Sequence, residues 1–276
     1  MRMHLLAVVC AALSAGCLSS TSVIHVRADG TGTVTNTILL KDSTLQLLNS
    51  FQASNSTSAD GKKDPAGGPK EFFSEEKMRE VAPRLGEGVT FQSMQPLKQE
   101  GWEGATVTYA FTDISKVRFN MRSQGTTDMG GSKPELLTFR FARAAAGPAN
   151  LTIVMPEEAL KRAMSGEAAK KPPADQEALG KAMLEQFKSM FEGMKASVVV
   201  EVAGPIVKTN ADHVAGSTVT LLAIDFNELM KTSGNLETFA GLADGSVSLA
   251  DARAKLKDVK GLVLTLQPEV NVAFGK

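Results

Sequence analysis

The chain has 276 residues, 43% of them hydrophobic and 22% charged, with 30 Lys and Arg balanced by 30 Asp and Glu. Zero formal charge leaves no basic footprint for nucleic acid, and the length is ample for one large hydrophobic core or two small ones. The only two cysteines, Cys10 and Cys17, lie at the start, so the chain beyond Cys17 can form neither a disulfide nor a cysteine-ligated metal site.

Arg2 is followed by the apolar run Leu5 to Leu13 and then by Ser14, Ala15 and Gly16. The run is far shorter than the roughly 20 residues that span a bilayer. A charged start, a short apolar stretch and small residues before a cut form the layout of a secretory signal. Leu13 to Cys17 (LSAGC) resembles a bacterial lipobox, in which the cysteine is diacylated and becomes the new N-terminus, although Ser14 stands where a large aliphatic residue is usual. The sequence therefore predicts a signal peptide over 1–16 and a lipidated tether over 17–22 that opens on Cys17. The chain is expected to cross the inner membrane and to be held at the cell envelope, in either the inner or the outer membrane, through that diacylglycerol.

Beyond the tether, two stretches carry the same order of elements. Val23 to Leu40 and Leu136 to Met155 each read as an extended run, a turn and a second run. Short helices follow at Asp42–Phe51 and Pro156–Met164, then polar loops at Ser54–Lys70 and Ser165–Asp175. Longer helices follow at Ser74–Leu85 and Asp175–Met194. Gly104–Ile114 (GATVTYAFTDI) and Gly216–Phe226 (GSTVTLLAIDF) then share Gly, Thr, Val, Thr and Asp in register.

The period of this repeat implies duplication of a supersecondary unit, because solenoid repeats are far shorter. The expected units are 23–122 and 136–232, joined by a linker over 123–135. A C-terminal helix and strand hairpin over 233–276 closes the chain, with Ser248 to Asp251 as a capping box and strands at Leu262–Leu266 and Glu269–Phe274.

Alternation sets the fold class. Ala105, Val107, Tyr109 and Phe111 share one strand face, with Thr106, Thr108 and Thr112 opposite. Leu137, Phe139 and Phe141 likewise oppose Thr138 and Arg140. Period two with one polar face describes an antiparallel sheet covered on one side. The expected fold is α+β: antiparallel sheets with helices packed on one face, built as ββα-loop-αββ twice.

Three stretches resemble the LppM family of bacterial lipoproteins: Ala28 to Gly32 (ADGTG), Leu85 to Val89 (LGEGV), and Val200 to Leu222 with Gly204, Pro205, Asn210, Ala211, Gly216 and Val219-Thr220. Leu221-Leu222 stands where that family carries a tryptophan. The resemblance implies an envelope-anchored α+β domain with a role in lipid binding and no catalysis.

The residues offer little apparatus for chemistry. His25 falls on a strand face with Arg27 and Asp29, and His213 lies in a polar turn. No paired histidine spacing suits a metal. There is no Gly-x-Ser-x-Gly elbow and no thiol past Cys17. Asp29-Gly30 reads as a hairpin turn. Asp113 and Asp225 read as helix caps, the second completed by Glu228.

Met183, Phe187, Met190, Phe191 and Met194 form a helical i, i+4, i+7, i+8, i+11 stripe. That stripe serves either as core or, because methionine repacks easily, as the lining of an apolar ligand site. The expectation is a non-enzymatic envelope lipoprotein without metal or cofactor that binds a lipid or other apolar ligand. The alternative is a structural lipoprotein that docks an envelope protein and holds no small molecule.

Overall fold

The computed structural model describes residues 18–46, 73–121, 136–143, 147–156, 193–231, 254, 257 and 259–275. Cys17 with the expected signal peptide, the polar loops, the linker, the helix expected after Pro156 and, apart from residues 254 and 257, the helix expected at Ser248 lie outside the described residues. So does the stretch from Asp175 except for its last two positions.

The chain opens on β1 (Leu18–Val26) and β2 (Gly32–Lys41), followed by a helical turn at 42–46. Helix α1 (Glu75–Val81) continues into a 3-10 turn (Ala82–Leu85), and Ser74 caps it by accepting from the Lys77 N–H. Next come β3 (Thr90–Gln99), β4 (Trp102–Phe111), a 3-10 turn (Ile114–Lys116), β5 (Arg118–Asn120), β6 (Leu136–Arg143) and β7 (Ala149–Val154). The remaining elements are β8 (Lys195–Val202), β9 (Ile206–Thr209), β10 (Val214–Ala215), β11 (Thr218–Asp225), α2 (Phe226–Lys231), β12 (Leu262–Leu264) and β13 (Glu269–Phe274).

The strands form two sheets. The large sheet runs β10-β11-β8-β1-β2-β4-β3, with β12 also paired to β11, and the smaller runs β5-β6-β7-β13-β9. Both contribute to one apolar core, in which Ile24, Val34, Tyr109 and Val200 from the large sheet join Phe119, Leu137, Val270 and Phe274 from the small one. Met78 and Val81 of α1 complete it. The alternation expected for β4 and β6 is present: Ala105, Val107, Tyr109 and Phe111 are buried, and Leu137 and Phe139 are buried between the more open Thr138 and Arg140. The opposite face of the large sheet is rich in threonine, whose hydroxyls pair across strands at Thr37–Thr106 (3.1 Å) and Thr35–Thr108 (3.4 Å).

Four expectations are corrected. The segment expected as a tether is strand: β1 starts at Leu18 and pairs with β2 from Leu18↔Leu40 onward. Its serines resemble linker composition, but a central strand hydrogen-bonded along both edges holds them extended. The large sheet is also not purely antiparallel, since β1 and β8 pair in parallel from Ser20↔Ala196 to Val26↔Val202.

Third, the two sequence units adopt different pairings. All four strands β1 to β4 join the large sheet, whereas β6 and β7 join the small sheet and β8 and β11 the large one. Last, β12 and β13 form no hairpin: β12 pairs with β11, and β13 inserts between β7 and β9. In both the third and last cases a strand satisfies its edge against a distant partner, because that pairing also buries its apolar face in the shared core.

Candidate functional site

Strand register gathers one group of termini at a single rim of the large sheet. Leu18 pairs with Leu40, Lys41 with Trp102, and Lys195 with Asp225. The start of β1 therefore lies beside the end of β2, the start of β4 and, across β8, the end of β11. An open cleft of about 470 Å³ sits at this rim. Ala196, Ala223, Ile224, Val259, Leu262 and Val263 give it mostly apolar walls. Thr21 and Ser197, whose hydroxyls lie 3.3 Å apart, and Gly261 also line it.

Lys195 and Asp225 line the same cleft and pair with each other at 2.8 Å. The Lys195 ammonium, then the N–H groups of Glu228 and Asn227, hold the Asp225 carboxyl below its ordinary value against a smaller opposing effect of burial. The same carboxylate accepts from the Glu228 N–H at 3.3 Å, so it caps α2 while fixing a cleft residue. Asp113 does the equivalent work before the 3-10 turn Ile114–Lys116, accepting from the Ser115 N–H and hydroxyl at 2.9 and 2.7 Å.

A carboxyl whose folded value is depressed adds stability above its unfolded value near pH 4. That contribution is lost as pH falls through the folded value. Asp225→Asn keeps an oxygen for the cap but removes the charge pair with Lys195, so it should cost about 0.5 kcal/mol at neutral pH and flatten the acid limb of stability below about pH 4. Urea midpoints measured from pH 7 downward check this, and a difference from the parent that does not shrink in acid would contradict it.

Of the expected stripe, Met194 is described, and Met183, Phe187, Met190 and Phe191 lie outside the described residues. Met194 is not helical. Gly193 turns the chain at φ +78 and gives its N–H to Asn227 Oδ1 at 2.9 Å, while the Met194 carbonyl accepts from Phe226 at 3.2 Å. Met194 thus immediately precedes the cleft residue Lys195. Trp102 packs beside Gly193, and the Lys41 ammonium sits 5.6 Å from the centre of its indole ring.

Elsewhere the residues singled out in the sequence have local roles. Asp29-Gly30 forms the β1–β2 turn, with the Asp29 carboxylate accepting from the Thr31 N–H at 3.0 Å and Gly30 at φ +86. His25 faces Glu201 at 3.9 Å, and the His213 carbonyl accepts from the Thr220 N–H. Among the described residues no group of three His, Cys, Asp or Glu converges as a metal site.

Sequence reasoning did not anticipate the Lys195–Asp225 pair or the cleft, since both depend on the β8–β11 register and on β12 returning to that edge. It also missed three polar side chains on the buried face of the large sheet. Ser20, Ser22 and Asn36 are buried with side-chain atoms that have no hydrogen-bond partner, and Ser22 lies directly opposite Asn36.

The chain matches no protein-family model and no curated protein. Among solved structures it shows a weak structural resemblance to the folded domain of LppM from Mycobacterium tuberculosis. The two share 10% sequence identity with a TM-score of 0.30, over 75% of this chain and 82% of that one. Among the described residues no helix is long and apolar enough to cross a membrane.

Proposed function

We propose that this chain is a bacterial envelope lipoprotein, acylated on Cys17, whose two-sheet body binds a lipid or other apolar ligand and makes or breaks no bonds. The cleft carries this reading. Its volume of about 470 Å³ lies within the few-hundred-Å³ range of small-molecule sites, its walls are mostly aliphatic, and Met194, the last residue of the Met/Phe stripe, leads directly into it at Lys195. An aliphatic lining with a single ion pair suits an acyl chain better than a sugar or nucleotide, which would call for several hydrogen-bonding groups or stacking aromatics.

Native mass spectrometry of the full chain, expressed in a bacterium and released from detergent, tests the reading. The expected spectrum carries lipid-sized adducts that diminish when Ala223→Trp fills the cleft. A clean, ligand-free spectrum with an unchanged melt on adding lipid would overturn it.

One observation favours the alternative of a protein-docking lipoprotein. Val207 and Val214 are 62% and 41% exposed, and Val207 lies on β9, an edge strand of the small sheet. A protein strand could add to that edge, and this alternative predicts a clean spectrum together with a partner lost on Val207→Lys.

A further inference from the structure

The rim that holds the cleft also fixes how the body meets the bilayer, provided that Cys17 is acylated as proposed above. Leu18 is already paired in the sheet and is the residue after Cys17, so about 3.8 Å of backbone separates their Cα atoms. The polar layer of each leaflet is about 5–8 Å thick. A tether of one residue leaves the body no room to stand away from the surface.

Register places the neighbours of Leu18. Leu40 is its partner on β2 and Glu103 is the partner of Leu40 on β4, so Lys41 and Trp102, which pair with each other, project one residue further outward. On β8, Met194 stands two residues before Ala196, as Leu18 stands two before Ser20, its partner. Leu18, Leu40, Trp102 and Met194 are each only half-buried. Trp102 with Lys41 across its ring is the amphipathic combination that favours a membrane–water interface.

We infer that this rim, built on Leu18, Leu40, Trp102 and Met194, lies in the headgroup layer of the membrane that holds the Cys17 lipid, with the cleft opening at that surface. The occupant of the rim is a lipid surface, and attraction to anionic lipid is not required. Two lysines near the rim are already paired, Lys98 with Glu103 at 3.6 Å and Lys195 with Asp225 at 2.8 Å. Contact comes from the anchor and from partly exposed apolar side chains. A ligand would then exchange between bilayer and cleft at the headgroup layer.

Trp102 is the single tryptophan of the chain, so emission excited beyond the tyrosine band reports on this rim alone. The full acylated chain is reconstituted into phosphatidylcholine vesicles with and without brominated acyl chains, and its N-terminal peptide is weighed in parallel. The expected result is a diacylated Cys17, a blue-shifted Trp102 emission relative to the detergent-free Cys17→Ala chain, and loss of emission in the brominated vesicles. The double variant Trp102→Phe/Val207→Trp moves the reporter to the exposed β9 edge and should keep its emission. Unquenched Trp102 on a diacylated chain overturns the orientation and leaves the lipoprotein reading standing. Equal quenching of the double variant also overturns the orientation. An N-terminal peptide without acyl mass removes the lipoprotein reading, and the orientation falls with it.

Discussion

Gly104→Ala should cost more than about 4 kcal/mol, a large share of the 5–15 kcal/mol that holds a typical domain folded. Gly104 is buried on β4 opposite Leu39 of β2, inside the large sheet. A Cβ at this position would overlap the carbonyl oxygen of Ile38 and crowd the Cα of Leu39. Both are backbone atoms of a paired strand, so no rotamer change relieves the overlap, and β2 and β4 must separate or shift. Gly101→Ala is the natural comparison: nothing approaches its Cβ, and its φ of +74 at the β3–β4 turn is the sole penalty, worth roughly 1 kcal/mol. Urea or thermal denaturation of both variants gives the contrast. A Gly104→Ala protein within about 1 kcal/mol of the parent would show that β2 and β4 do not pair in this register.

Tyr109→Ala should cost about 3–5 kcal/mol, as for other large aromatic truncations in a core. The side chain is fully buried on β4, where its ring meets Phe91 edge-on at 6.2 Å and 78°, and its hydroxyl donates to the Met78 carbonyl of α1 at 3.1 Å. Burial raises the phenol well above its ordinary pKa, which keeps it a donor throughout the range in which the protein is handled. Tyr109→Phe separates the two contributions. It keeps the ring and leaves that carbonyl without this donor, so about 1–2 kcal/mol should be lost. Equal losses in the two variants would mean that the ring is poorly packed and that α1 is held mainly by the hydroxyl.

How far each feature could be read follows from the range of the interaction that produces it. The alternation of Ala105, Val107, Tyr109 and Phe111 against Thr106 and Thr108 requires only the two-residue pleat, so the buried face of β4 is visible in the string of residues. Strand β13 occupies Glu269–Phe274, as its pattern implies. Asp113 and Asp225 act as caps because each oxygen reaches N–H groups only two or three residues ahead. The candidate site was less accessible. Lys195 and Asp225 are thirty positions apart and meet only through the β8–β11 register. The cleft further requires β12 to return to the same edge.

By itself, then, the sequence determined which faces are apolar and where the turns and caps fall, since these are local periodicities and short-range hydrogen bonds. Tertiary structure alone decided that residues 18–22 are strand, that β1 and β8 run parallel, that β13 crosses into the small sheet, and that two similar sequence units pair differently. An unpaired strand edge accepts any partner with free N–H and C=O groups. The choice among partners is made where burying the apolar faces in one shared core favours a single arrangement of the whole chain.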